Sequence, residues 1–76
     1  MMKKVVELLE ELHPNFDFVH SGDFFADGYL DSFDLTRLIV QVEETYGIEI
    51  DGRDIRPESF QNLAAIQSML GKYGVK

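Results

Sequence analysis

The chain contains no cysteine, and this absence excludes disulfide bonds, thiolate-bound metal and a thiol nucleophile. Basic residues are also scarce, because fourteen Asp and Glu accompany only seven Lys and Arg, for a formal net charge of −7. Nucleic acid and anionic membranes are therefore poor partners, whereas a basic protein surface is a suitable one. No apolar run approaches the length of a transmembrane helix, and Glu7, Glu10 and Glu11 interrupt any signal-peptide core. We expect one monomeric cytoplasmic domain over residues 1–76.

Apolar residues recur at helical spacing in three segments, each of which predicts an amphipathic helix. The segments are residues 5–12, 32–46 and 62–73. Asp31 is a suitable N-cap for the second helix, and Gly47 suits the left-handed position that follows its end. Asn62 is a candidate cap for the third helix. The positions predicted to face the core are Val5, Leu8, Leu9, Leu12, Leu35, Leu38, Ile39, Val42, Leu63, Ile66, Met69, Leu70 and Tyr73.

The segments between these helices complete the prediction. Residues 14–31 are too rich in aromatic residues for a free linker, so we expect an ordered loop packed across the helices. Residues 48–51 read as an extended loop, and residues 53–56 as one short helical turn that buries Ile55 and ends at Pro57. The predicted fold is all-α: an antiparallel four-helix bundle of three long helices and one short helix, with a long loop after the first.

Ser32 is the candidate functional residue, because a loop ends in Asp31-Ser32 just where the second helix begins. A hydroxyl at that position lies beside backbone N–H groups without intrahelical acceptors and at the positive end of the helix dipole. Such a place favours a phosphate group. The pattern therefore indicates a serine that carries a phosphodiester more than one that attacks a substrate.

Four short motifs between residues 28 and 70 stand in the order typical of one known family. They are Leu30-Asp31-Ser32, Glu43-Glu44, Tyr46-Gly47-Ile48-Glu49-Ile50, and Pro57-Glu58-Ser59-Phe60 followed by Leu63 and Ile66. On these motifs the chain resembles the acyl carrier proteins. The resemblance implies that a phosphopantetheinyl transferase attaches 4′-phosphopantetheine from coenzyme A to Ser32. The thiol of that group would carry an acyl group as a thioester between partner enzymes, and the protein itself would not be an enzyme.

Two residues depart from the pattern of the family. Phe33 follows the serine where these carriers usually have leucine or methionine, and Arg37 lies where the fatty-acid carriers usually have an acid. These departures argue against the housekeeping fatty-acid carrier and favour a specialised discrete carrier with a dedicated set of partners. Its place would be in a fatty-acid, polyketide or other specialised acyl-transfer pathway. Leu-Asp-Ser, in place of the Gly-Gly-x-Ser of peptidyl carriers, favours an acyl cargo. D-alanyl carriers also use an Asp-Ser pair, so an aminoacyl cargo remains open.

Acidic residues cluster around the serine, since nine of the fourteen lie between residues 27 and 58. This clustering predicts a docking surface for acyl-loading and acyl-transfer enzymes with basic patches, whose binding weakens as salt rises. Arg37 is either a specificity element of that surface or an i,i−3 partner of Asp34. The predicted docking residues are Asp31, Phe33, Asp34, Arg37, Glu43, Glu44 and Asp54.

Two other classes of function compete with a carrier. The first is a small acidic interaction or calcium-binding module, because Asp23, Asp27, Asp31 and Asp34 occupy EF-hand positions 1, 5, 9 and 12. Phe25 stands at position 3, where a ligand oxygen is needed, so we expect no true metal site. The second is a hydrolase with His13 or His20 as the base for Ser32, but the chain lacks the Gly-x-Ser-x-Gly motif.

Overall fold

The computed structural model describes residues 3–75, and the ends of the predicted 1–76 domain lie outside this range. Over the described residues the chain is all-helical, with α1 at Lys3–Leu12, α2 at Ser32–Tyr46, α3 at Pro57–Phe60 and α4 at Leu63–Gly71. The helix α1 packs against α2, and α3 packs against α4. No helix among residues 3–75 has the length and apolar character that crossing a membrane requires. The helices α1 to α4 confirm the predicted all-α class.

The hydrophobic core lies where the predicted helix stripes meet. Val5 and Leu9 of α1, and Leu38 and Val42 of α2, are fully buried. The helix α1 ends at Leu12 because the next residue precedes Pro14, whose ring disfavours helical backbone at the position before it. The buried apolar residues form one cluster: Val5, Leu8, Leu9, Phe18, Phe24, Leu30, Leu35, Leu38, Ile39, Val42, Ile50, Phe60, Ile66, Met69 and Leu70.

The helix α2 has the boundaries that its capping residues predict. At its start, Asp31 is extended and its side chain accepts the backbone N–H of Asp34, while the side chain of Asp34 accepts the backbone N–H of Asp31. This reciprocal arrangement is a capping box, and it satisfies an N–H group that the helix leaves without a partner. At its end, Gly47 adopts the left-handed conformation with φ 64° and donates its N–H to the carbonyl of Glu43.

The loop between α1 and α2 is ordered by aromatic packing, as predicted. Phe18 and Phe24 are buried and pack edge to face with their ring centroids 5.1 Å apart. The rings of Phe16 and Tyr29 stack with their centroids 4.6 Å apart, and both pack edge to face against Phe18. The backbone N–H of Phe24 donates to the carbonyl of Gln61 at 2.6 Å, which joins the loop to the segment between α3 and α4. The loop is thus part of the core, and its packing fixes the position at which α2 begins.

The predicted helical turn before Pro57 forms in part, and a further short helix, which was not predicted, follows it. A 3₁₀ turn covers Gly52–Asp54, and α3 begins at Pro57. Proline is well suited to the first helical position, because its φ is preset and the helix needs no N–H there. Arg56, the residue before it, is extended as that position requires. Ile55, which we expected in the core, is 41% exposed, and Phe60 of α3 is fully buried instead.

The helix α4 ends at Gly71, two residues before the predicted end at Tyr73. Asn62 caps its start as predicted, because its side-chain oxygen accepts the backbone N–H of Ala65 at 2.7 Å. The amide of Asn62 also donates to the carbonyl of Gly22 in the long loop at 3.0 Å. One polar side chain therefore fixes both the start of α4 and the position of the loop.

Candidate functional site

Ser32 is the first residue of α2 and its side chain is exposed to solvent. The chain reaches it through Leu30, which is buried in the core. The backbone N–H groups of Tyr29 and Leu30 both donate to the carbonyl of Phe24, at 2.8 and 3.1 Å, and Gly28 turns the chain with φ 75°. The hydroxyl of Ser32 is therefore held at the surface by a segment that is anchored two residues earlier.

The backbone around Ser32 is organised by the capping box. The carboxylate of Asp31 accepts the N–H of Asp34 at 2.9 Å, and the carbonyl of Asp31 accepts the N–H of Leu35 at the same distance. Leu35 is the first residue of α2 whose N–H donates along the helix, to the carbonyl of Asp31. The N–H groups of Ser32 and Phe33 come before it, so they have no intrahelical acceptor and point out of the start of the helix. Donors and the helix dipole at this point favour an anionic group beside the hydroxyl.

Asp34 lies beneath this end of the helix and is only 8% exposed. Its Oδ2 is 2.9 Å from Nε2 of His13, the residue that follows α1. Burial opposes ionisation of Asp34, but the hydrogen bond and charge of His13, with the N–H of Asp31 and the charge of Arg37, hold the pKa of the carboxyl below its ordinary value. The pair joins the end of α1 to the start of α2. It also turns one carboxylate away from Ser32.

The outer surface of α2 beside Ser32 is formed by Phe33, Arg37 and Val40. Phe33 is 69% exposed, and the guanidinium carbon of Arg37 lies 5.8 Å from the centroid of its ring. This distance is within the range of a cation–π contact. Arg37 therefore lies over Phe33, and the salt bridge of Asp34 is made with His13. Of the two alternatives for Arg37, the i,i−3 salt bridge does not form.

Two of the acids predicted to dock partners are engaged within the fold, and one is partly engaged. Asp34 and Asp54 are buried, which corrects the expectation that they lie on the surface. Glu43 is half-buried and its Oε2 accepts the backbone N–H of Ile50 at 2.8 Å, which holds the loop after α2. Asp31 and Glu44 remain exposed. Docking of partners on the predicted residues stays a prediction, with Asp31 and Glu44 as its two exposed acids.

Asp54 lies in a polar cluster at the end of α4. Its Oδ1 accepts Nζ of Lys72 at 2.7 Å, and its Oδ2 accepts the hydroxyl of Tyr73 at the same distance. These two hydrogen bonds hold the pKa of Asp54 below its ordinary value. The Tyr73 hydroxyl accepts the N–H of Asp51 at 2.8 Å. A polar pocket of about 470 Å³ adjoins the cluster, lined by Asp51, Arg53, Asp54, Arg56, Lys72 and Tyr73. Sequence reasoning missed this cluster, because its partners are 18 and 19 residues apart.

The four acids at EF-hand spacing point to separate partners. Asp23 accepts the backbone N–H groups of Phe25 and Ala26 at 3.0 Å, and Asp27 accepts the hydroxyl of Ser21. Asp31 caps α2 and Asp34 binds His13. Within the part of the chain that the structure describes, no three Asp, Glu or His side chains come together as metal ligands. The spacing therefore corresponds here to turns and a cap.

The two histidines bind carboxylates. Nε2 of His13 contacts Asp34 at 2.9 Å, and Nδ1 of His20 contacts Asp17 at 2.7 Å in an exposed pair. Neither ring is hydrogen-bonded to Ser32 among residues 3–75. A general base must lie within hydrogen-bonding distance of the hydroxyl that it activates, directly or through one water. Both rings are bound to carboxylates instead, so the described residues give no support to a hydrolase.

A scan against family models finds one that covers most of the chain. The model for the phosphopantetheine attachment site matches residues 3–70, a range that includes α1 to α3, most of α4 and the exposed serine. The chain belongs to this family. The match confirms the resemblance to acyl carrier proteins, and a member of the phosphopantetheine attachment family is a carrier of covalent 4′-phosphopantetheine. Searches of the curated proteins and of the solved structures find no significant match to this chain.

The residues at the start of α2 suit this prosthetic group. Attachment needs an accessible hydroxyl and surroundings that tolerate a phosphodiester. Ser32 supplies the first, and the free N–H groups of the first helical turn favour the second. The chain has no thiol of its own, so the sulfur that forms a thioester comes with the group. Carrier domains of this family work with a phosphopantetheinyl transferase and with acyl-handling enzymes.

Proposed function

We propose that Ser32 is the residue that carries 4′-phosphopantetheine and that the loaded protein shuttles an acyl group in a specialised acyl-transfer pathway. The observation that carries this proposal is the exposed hydroxyl of Ser32 at the capped start of α2 in a chain of the phosphopantetheine attachment family. Asp31 supports the assignment because it fixes the first turn of the helix next to the hydroxyl.

In the loading reaction, Oγ of Ser32 attacks the phosphorus of coenzyme A that bears the pantetheine. The new Oγ–P bond replaces the P–O bond of the pyrophosphate, and adenosine 3′,5′-bisphosphate leaves. His13 and His20 are hydrogen-bonded to carboxylates and not to Ser32, so we assign the acceptor of the Oγ proton to the transferase. This chain contributes the position of the Ser32 hydroxyl, which is fixed by the buried Leu30 and by the capping box.

Once attached, the phosphodiester adds negative charge next to Asp31. The N–H groups of Ser32 and Phe33 and the dipole of the fifteen-residue helix α2 offset that charge. The pair of His13 with Asp34 helps, because it directs the second nearby carboxylate inward. The prosthetic group supplies a terminal thiol that forms the thioester, while enzymes that bind the carrier make and break that bond.

The proposal is tested by incubating the protein with coenzyme A and a broad-specificity phosphopantetheinyl transferase, followed by intact mass measurement. We expect a mass gain of one phosphopantetheine, and a further gain of one acyl group when acyl-coenzyme A replaces coenzyme A. Ser32→Ala should show neither gain while its circular dichroism stays unchanged, because the side chain is exposed and makes no core contact.

Ser68→Ala is the matched control, since Ser68 is an exposed serine on α4. It should load as the unchanged protein does. Loading that persists in Ser32→Ala would place the attachment at another hydroxyl and overturn the assignment of Ser32. Absence of loading in every variant, with both a broad-specificity transferase and the transferase of the same organism, would overturn the carrier function.

A further inference from the structure

His13 joins the end of α1 to the start of α2, where Ser32 lies. Its Nε2 is 2.9 Å from Oδ2 of Asp34, and the side chain of Asp34 is only 11% exposed. The two residues are 21 positions apart in the sequence, so this contact exists only in the folded chain. It links the first turn of α2 to the helix that packs beneath it.

The ring of His13 is itself held from two sides. Its backbone N–H donates to the carbonyl of Leu9 in the last turn of α1 at 3.0 Å. Its ring centroid lies 5.1 Å from that of Phe16, and Phe16 stacks on Tyr29. A side chain packed in this way is restricted to few rotamers, so the nitrogen that binds Asp34 has a defined position.

Asp34 passes this support on to the residue before Ser32. The same Oδ2 that contacts His13 accepts the N–H of Asp31 at 3.4 Å, and Asp31 accepts the N–H of Asp34 at 2.9 Å in return. The bond of 3.4 Å is long and therefore weak, so the place of this oxygen depends on His13. Without His13 the buried carboxylate lacks its nearest partner, and we expect it to turn toward water and open the cap beside Ser32.

We propose that His13 is a positioning residue for the loading reaction: through Asp34 and the capping box it fixes the place of the Ser32 hydroxyl during transfer. This inference rests on the proposed attachment at Ser32. Attack on phosphorus requires Oγ in a defined position, and a displacement of about 1 Å caused by a distant change can slow a reaction by up to about 100-fold. His13 acts by way of Asp34, so its loss should slow the transfer step and leave binding of the carrier largely unchanged.

The test uses a matched pair of amide substitutions, His13→Gln and His13→Asn, beside His13→Ala. Both amides are neutral donors, but the amide nitrogen of glutamine extends about as far from the backbone as Nε2 of histidine, whereas that of asparagine stops short of it. Loading by the transferase of the same organism is followed under single-turnover conditions with the transferase in excess. This design separates the maximal rate constant of transfer from the apparent Kd of the carrier.

Tyr73→Phe is the control for a general loss of stability. The Tyr73 hydroxyl donates to Asp54 at 2.7 Å and accepts the N–H of Asp51 at 2.8 Å, among residues that follow the other end of α2. Its removal therefore breaks two hydrogen bonds away from Ser32. Circular dichroism melts give the stability of each variant, and all rates are measured well below the lowest Tm.

We expect His13→Ala and His13→Asn each to lower the maximal rate constant by about fivefold, with the apparent Kd changed by less than about twofold. His13→Gln should retain at least about half of the rate constant, because it keeps a donor for Asp34. Tyr73→Phe should load at the rate of the unchanged protein although it is less stable.

Hydrogen exchange at the start of α2 provides a second readout. The N–H groups of Asp34 and Leu35 both donate to Asp31, so they report directly on the cap. Their exchange should be several-fold faster in His13→Asn than in His13→Gln. The N–H of Ile48, which donates to a carbonyl at the end of α2, should differ by a smaller factor.

A rate constant for His13→Asn equal to that of the unchanged protein would overturn the proposal. A His13→Gln variant as slow as His13→Asn would do so too, because the hydrogen bond would then not be what matters. An equal fall in Tyr73→Phe, or a change in the apparent Kd alone, would assign the effect to stability or to docking instead. In each of these outcomes Ser32 is still loaded, whereas failure of the proposed function is the absence of loading in the unchanged protein.

Discussion

The contact of His13 with Asp34 should stabilise the fold at the point where α2 begins. Asp34→Ala removes a hydrogen bond of 2.9 Å from a side chain that is 11% exposed, and it also removes the 3.4 Å bond to the N–H of Asp31. A hydrogen bond to a charged group contributes about 1.5–3 kcal/mol, and the low end applies because His13 is 33% exposed. The long second bond adds a few tenths of a kcal/mol, so we expect a loss of about 2 kcal/mol.

Urea unfolding monitored by circular dichroism measures this loss. In a thermal melt of a domain of this size, a loss of about 2 kcal/mol corresponds to a fall in Tm of about 8–16 °C. The pH dependence has a definite sign, because the pKa of Asp34 is held below its ordinary value of 3.8 in the folded protein. The stabilisation by Asp34 is therefore present above that value and is lost as pH falls through the folded pKa. The difference between the two proteins should shrink at acidic pH.

A double-mutant cycle with His13→Ala isolates the contact between the two side chains. We expect a coupling of about 1 kcal/mol, so that the double variant loses less than the two single losses together. Asp17→Ala is the matched control, because Asp17 also binds a histidine, but in an exposed pair that should contribute little. Strict additivity in the cycle, or an equal loss of stability in Asp17→Ala, would refute the argument that burial makes the contact of His13 with Asp34 stabilising.

Two further predictions concern the core and the end of α2. Phe24→Ala should lower the free energy of unfolding by about 3–5 kcal/mol in a urea titration, because Phe24 is fully buried among the loop aromatics. A loss below about 1 kcal/mol would mean that the loop is not part of the core. Gly47→Ala should lower the free energy of unfolding by about 1 kcal/mol in the same measurement, because Gly47 has φ 64°, which a residue with a Cβ adopts only with strain. An added Cβ at Gly47 would meet no atom within 4 Å, so this backbone strain is the whole of the expected loss. Gly52→Ala is its control, since Gly52 has equal room without a positive φ, and an equal loss there would contradict the reasoning.

The sequence predicted those features of the fold that depend on neighbours along the chain. The caps at Asp31, Gly47 and Asn62 each act within four residues, so their chemistry is visible in a short segment. The helix α3 is not expected when Pro57 is taken only as a stop, whereas proline also favours the first helical position. The sequence Pro57-Glu58, with an acid in the first turn, was the signal for that alternative.

The attachment residue stays a prediction, and the surroundings of Ser32 could be predicted only in part. Ser32 could be singled out because the cap, the helix and the family motifs coincide at one position. The burial of Asp34 and Asp54 could not be predicted, since their partners His13 and Lys72 lie 21 and 18 residues away. Acids that cluster in the sequence need not share a surface. A docking surface read from charge alone therefore included two residues that stabilise the fold.

The assignment of Ser32 is tested most directly by fragment-ion mass spectrometry of the protein after loading by the transferase of the same organism. Our account predicts that the mass of one phosphopantetheine resides on Ser32, in a fragment series that separates it from Ser21 and Thr36. A phosphopantetheine located on any other residue, or a fully loaded sample in which Ser32 is unmodified, would contradict it.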